Sequence, residues 1–175
     1  KIRLEIGWRA EVSPEAISWV ERVGQHLERG FLVLIDYGHE ADELYSLTHA
    51  HGSLASYQKH FVETGEGHGK RSAPWLEEPG TKDITAHVDL TAVRHGAEQI
   101  GLKTLGMLDQ TYFLLGLASE ELLKTEIKQG HEIDTTKRSL ALKTLLLPGG
   151  LGSTHKVLIF GKNVGTPKLL GCSFS

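Results

Sequence analysis

The feature that most constrains this chain is a helix signal that runs directly into a continuous apolar strand. Ser13, Pro14 and Glu15 combine a side chain able to cap free amides, a ring suited to the first helical position and an acid suited to the positive helix end. Ile17, Val20, Val23 and Leu27 follow at helical spacing, Gly30 supplies the expected stop, and FLVLID begins directly after it. Such an uninterrupted apolar run predicts a strand buried on both faces, as in the middle of a parallel sheet covered by helices. The alternating Ile2, Leu4 and Ile6 upstream complete a strand, helix, strand order, which points to α/β architecture.

The pattern weakens from His39 to about Pro79, where glycine, histidine and charge are frequent, and this stretch (39–80) is expected to be an insertion or lid over the sheet. Order returns at KDITAHVDL. Asp89 or Thr91 caps a helix carrying Leu90, Val93, Ala97 and Ile100, which Gly101 ends. A strand LKTLGML and an apolar helix QTYFLLGL come next, then helices opened by Ser119 and Asp134, a glycine turn PGGLGS and a last strand HKVLIFGK. Residues 1–162 read as one unit, and 163–175 as a mobile tail.

At 175 residues, 39% hydrophobic and 23% charged, the chain can bury one core of useful size. A formal net charge of −3, with Lys and Arg spread along the chain, gives no support to phosphate-driven nucleic-acid binding. The single cysteine, Cys172, excludes an intrachain disulfide and any cysteine-based zinc site, which favours a reducing compartment. No stretch approaches the ~20 consecutive apolar residues of a membrane span, and the opening KIRLEIGWRAEV lacks the apolar core of a signal peptide. With no initiator Met, that opening reads as a strand cut from something longer. A chain cut in this way would expose an apolar sheet edge, and this favours self-association into a homo-oligomer.

The glycine clusters carry little chemistry. GEGHGK (65–70) has no strand before it and no helix after it, and GGLGS (149–153) precedes a strand instead of following one, so neither is a nucleotide loop. Ten histidines invite a metal reading, yet no HExxH helix appears. His49 and His51 lack a third ligand nearby in sequence, so a surface loop is expected there and no metal. Asp36, Tyr37 and Gly38 sit where a buried strand emerges, at the end of an open α/β sheet where ligands bind. A carboxylate there can receive an amine or guanidinium, a tyrosine can pack on a ligand and glycine permits close approach; a strand-end turn capped by Asp36 explains the same residues equally well. Asp83, Thr85, His87 and Asp89 alternate, which places them on one face if DITAHVDL is extended, whereas a helix entry capped by Asp89 is the preferred alternative.

EVSPEAISWV, GFLVLIDYG, GSLASYQKH, GTKDITAHVDL, QTYFLLGL and PGGLGSTHKVLIFGK occur in the order seen in the C-terminal half of the MidA family of S-adenosylmethionine-dependent methyltransferases, which this chain resembles up to about Lys162. The resemblance implies a class I, Rossmann-like methyltransferase sheet with FLVLID central and HKVLIF late, near the edge. It implies methyl transfer to a protein, with arginine the acceptor and a respiratory complex I subunit a candidate partner. The expected compartment is the cytoplasm in a bacterium or the mitochondrial matrix in a eukaryote. It further implies that the family's glycine-rich cofactor turn and ribose-binding acid lie in an N-terminal half outside these residues, so that this chain alone is inactive. Carried over by position, Asp36, Asp83, His87 and Asp89 are candidates for orienting the acceptor and taking its proton, and Tyr37 and Gly38 for shaping the cofactor side. The alternative is a non-catalytic binding or assembly module built on the same fold.

Overall fold

The computed structural model describes residues 2–58, 61–64, 73–117, 140–141, 143–146 and 151–173. Helix α1 spans Pro14–His26, and Ser13 Oγ accepts from the Ala16 amide at 3.4 Å. The helix ends with Leu27 in an extended conformation, before the expected stop at Gly30. Gly30 instead opens strand β1 (Gly30–His39) at φ +143°, a backbone angle that residues with a Cβ rarely adopt.

The excursion after β1 holds a one-turn helix α2 (Ala41–Leu44), a 3-10 turn Leu47–His49, strands β2 (Ala55–Gln58) and β3 (Phe61–Thr64), and strand β4 (Asp83–Thr85). These three strands form a small antiparallel sheet in the order β3-β2-β4. Strand β5 (Val88–Asp89), helix α3 (Leu90–Gln99), strand β6 (Lys103–Asp109), helix α4 (Gln110–Leu117), a helical turn Leu151–Thr154 and strand β7 (His155–Lys162) follow among the described residues. The helices expected after Ser119 and Asp134 lie largely outside the described residues, as does GEGHGK.

The main sheet runs β5-β1-β7-β6 and is mixed. β1 pairs with β5 in parallel but only through Gly38 and His39, whereas it pairs with β7 antiparallel along its whole length, Gly30 opposite Lys162 to Tyr37 opposite His155. β6 joins the other side of β7, also antiparallel. The strand buried throughout is therefore β7, where Val157–Gly161 are all buried between two hydrogen-bonded neighbours. In β1 only one face is covered: Leu32 and Leu34 pack on the core, while Phe31, Val33 and Ile35 stay 47%, 47% and 51% exposed. The continuous apolar run thus marks a strand whose second face finds no cover among the described residues.

The core lies between this sheet and the pair α1 and α3, and contains Val20, Val93, Ala97, Leu102, Leu158 and Phe160. Burial of each of these larger side chains is worth about 1.5–3 kcal/mol. The helices approach closely because Gly96 of α3 leaves room for Ile17, and a Cβ there would stand 2.7 Å from Ile17 Cγ2. Gly24 of α1 does the same for Ile100 and Leu102. The segment after β7 reaches a 3-10 turn at Leu170–Cys172, whose Gly171 is buried against the Phe113 ring of α4.

Candidate functional site

The polar end of the main sheet is built where β1 runs out, β6 ends and β7 begins. Asp36 is exposed, its Oδ1 accepts from the Tyr37 amide at 2.8 Å, and its backbone lies opposite Lys156 of β7. Asp36 and Lys156 share a cleft of about 480 Å³ with Trp19, Val33, Ile35 and Val88. The Lys156 ammonium donates to Asp109 Oδ1 at 2.5 Å, at the C-terminal end of β6. Lys156 and Asp109 also line a neighbouring hollow with Glu40, Asp42 and Glu43 from the β1–α2 junction, so among the described residues four acidic side chains and one lysine line it. Arg94 of α3 reaches Glu40 from outside at 3.7 Å.

Beside this acidic hollow lies a group of imidazoles. The rings of His39 at the end of β1, His49 in the 3-10 turn and His87 before β5 stand 4.8–5.7 Å apart, centroid to centroid. Tyr37 meets His87 and His155 edge-on, at 6.2 and 5.8 Å. Glu43 Oε2 is 3.0 Å from His39 Nδ1, and that imidazole holds the Glu43 carboxyl below its ordinary range. Burial, then the neighbouring His39 and His49, push the His87 imidazole below its ordinary pKa. His87 is held in place through its backbone: Ser53 Oγ accepts from the His87 amide at 3.0 Å and donates to Glu11 Oε2, also at 3.0 Å.

The sequence candidates do not share one face. DITAHVDL breaks between Thr85 and Val88, so Asp83 lies exposed in the small sheet opposite Tyr57, while β5 belongs to the main sheet. Asp89 is the α3 cap: Oδ1 accepts from the Ala92 amide at 2.9 Å, and Oδ2 from the Tyr45 hydroxyl at 3.0 Å. That hydroxyl is pushed up to about 12 by burial and by Asp89. Asp89 and His87 line a third hollow with Glu11 and Tyr45, whereas Asp36 lines the cleft, and Val88 and Val93 border both. The close approach that Gly38 permits is made by the Val88 carbonyl, which occupies the space a Cβ would need. Asp109, Lys156, Glu43 and His39 were not singled out in the sequence. A strand end is the signal shared by His39, Asp109 and Lys156, whereas Glu43 lies in α2, and only tertiary pairing shows that these positions coincide.

Over residues 1–108 the sequence matches a protein family described as "Putative S-adenosyl-L-methionine-dependent methyltransferase". The chain belongs to this family. Among curated relatives of this MidA-family chain is "Protein arginine methyltransferase NDUFAF7, mitochondrial" of Xenopus laevis, 24% identical over 149 residues, or 83% of the chain and 30% of that protein. A crystal structure from Burkholderia thailandensis bound to S-adenosyl-homocysteine superimposes with a TM-score of 0.81 at 25% identity, covering 98% of the chain and 41% of that structure. A native crystal structure from the same organism gives 0.78 at 24%, with 97% and 44% covered. The MidA-type chain thus has the α/β methyltransferase fold expected of it, and spans less than half the length of these relatives. Among the described residues no helix is long and apolar enough to cross a membrane.

Proposed function

We propose that this chain forms the acceptor side of an S-adenosylmethionine-dependent protein methyltransferase site, with an arginine guanidinium as the acceptor. The observation that supports it most is the hollow lined by Glu40, Asp42, Glu43 and Asp109, next to Asp36 at the strand end. A planar cation with several N–H donors is the ligand that such a carboxylate set receives best. The cofactor, when bound, supplies an electrophilic methyl group. The chain's own residues hold the guanidinium in line with it, and positioning of this kind accounts for much of the rate in group transfer. Asp36 and Asp109 orient the acceptor and take charge as its proton leaves, Lys156 holds Asp109 in place through their hydrogen bond, and Tyr37 and His87 form the flanking wall.

Among the described residues no glycine-rich turn joins a strand to a helix N-terminus: β5 passes directly into α3 at Asp89–Leu90, and β6 into α4 at Asp109–Gln110. In this reading the cofactor cradle belongs to sequence that the relatives carry beyond the matched part. Calorimetric titration of this chain with S-adenosylmethionine is expected to give negligible heat, and a micromolar dissociation constant would overturn the division of the site. Acceptor identity is tested by labelled methyl transfer to an arginine-containing protein, using these residues combined with the family's cofactor half. Methylarginine in the hydrolysate is expected; label on another residue type alone rejects the arginine assignment. The mitochondrial relative carries an arginine methyltransferase name, and a respiratory-complex subunit is a natural first protein substrate to try.

A further inference from the structure

We propose that His39, His49 and His87 form a binding site for an imidazole-preferring divalent cation of the zinc class. Each residue offers one ring nitrogen, and the three nitrogens lie within 4.8 Å of one another. Tetrahedral ligation with bonds of ~2.0–2.1 Å sets ligand nitrogens about 3.3 Å apart, so small side-chain rotations bring all three onto one ion. The rings come from three separate segments, the end of β1, the 3-10 turn Leu47–His49 and the β4–β5 connection. All three side chains are half-buried.

A second observation points the same way. The Nδ1 atom of His87 is buried and has no hydrogen-bond partner among the described residues, while that of His39 faces the Glu43 carboxylate at 3.0 Å. Buried polar atoms are nearly always satisfied, and an ion held among the three rings would satisfy this one. His49 is prepared differently. Its Nδ1 lies 2.9 Å from the Glu43 carbonyl oxygen, which fixes the proton on Nδ1 and leaves the Nε2 lone pair available to a metal. Glu43 itself sits at the rim, with its carboxylate 3.0 Å from His39 Nδ1, placed to complete a four-coordinate set. Three imidazoles and one carboxylate suit zinc, cobalt or nickel far better than magnesium or calcium, which take oxygen ligands.

Such an ion would tie the turn Leu47–His49 and the strand β5 entry to the end of β1, beside the acidic hollow, and so hold the inserted segment against the sheet. The site does not depend on methyl transfer, and its test reads metal binding directly.

The experiment is calorimetric titration of chelator-stripped protein with zinc chloride, with cobalt chloride followed in parallel by its visible absorption. One equivalent of zinc and an intense tetrahedral cobalt band are expected, and magnesium chloride should give no heat. His49→Ala and His87→Gln should weaken zinc by at least about tenfold and abolish the cobalt band, whereas His51→Ala, next in the loop but outside the cluster, should change neither. Circular dichroism of each variant separates loss of ligation from loss of fold, and on the unaltered protein the ring-nitrogen shifts of three histidines should move with zinc. Absence of a cobalt band, zinc binding unaffected in folded His49→Ala and His87→Gln, or an equal loss in His51→Ala would each overturn the site.

Discussion

Asp89 shows how one side chain can serve two partners at a helix entry. Its two oxygens accept from the Ala92 amide and from the Tyr45 hydroxyl, joining the start of α3 to the segment that follows α2. Asp89→Ala removes both bonds and should cost about 0.5–2 kcal/mol from the cap alone, read as a lower urea midpoint; Asp89→Asn should keep most of it. The same contact sets a pH dependence. The Tyr45 pKa is about 12 in the fold, raised from the ordinary 10.0 by burial first and then by Asp89. Because the folded value is the higher one, its stabilising effect is complete below pH 10 and is lost as pH rises from there through 12. An ultraviolet titration of tyrosinate should show one late-ionising group that Tyr45→Phe eliminates and Asp89→Asn shifts downward. Asp89 was legible in the sequence as a cap, since capping is local and needs no tertiary contact. Its partner Tyr45 was not, being 44 residues away.

At the level of elements, periodicity and capping located α1, α3 and the strands β1, β6 and β7, because each is encoded within a window of neighbouring residues. The DITAHVDL segment eluded that logic. Its alternation fits a single strand, but Tyr57 and Ser56 of β2 take its first half into the small sheet and Gly38 and His39 take its second half into the main one. The segment after β7 also acquires its place from a distant element. Gly116 of α4 leaves space for the Leu170 carbonyl and the Gly171 backbone, and a Cβ there would lie 3.0 Å from Gly171 Cα. Gly116→Ala should therefore loosen the Leu170–Cys172 turn and destabilise by about 1–3 kcal/mol through overpacking. Thiol labelling reports it: burial holds the Cys172 thiol above its ordinary pKa, so displacement of the turn should make Cys172 react several-fold faster.

For the whole molecule, the telling surface is the open side of β1. Among the described residues, Gly30–Tyr37 hydrogen-bond to β7 along one edge, β5 meets only Gly38 and His39 on the other, and Phe31, Val33 and Ile35 stand about half exposed. An apolar strand with an open edge is a site of association. In sedimentation experiments the chain should therefore show concentration-dependent mass, and Phe31→Thr with Val33→Thr should lower it while leaving the circular dichroism unchanged. Strict monomer behaviour at high concentration would reject this. The polar end of the same sheet gathers Asp36, Lys156 and Asp109 because antiparallel pairing brings the start of β7 to the ends of both β1 and β6.

The helix signal running into an apolar strand determined, by itself, that this chain is α/β and where its central elements lie. The reason is that helix caps and hydrophobic period are properties of adjacent residues. Which strand is buried on both faces, which carboxylates share a hollow and which histidines converge were decided by tertiary structure. Those relations depend on strand order and register, which join residues far apart in the chain: β7 claimed the interior that the β1 run had suggested for itself, and His39, His49 and His87 met only once β1, the 3-10 turn and the β4–β5 connection had been placed together.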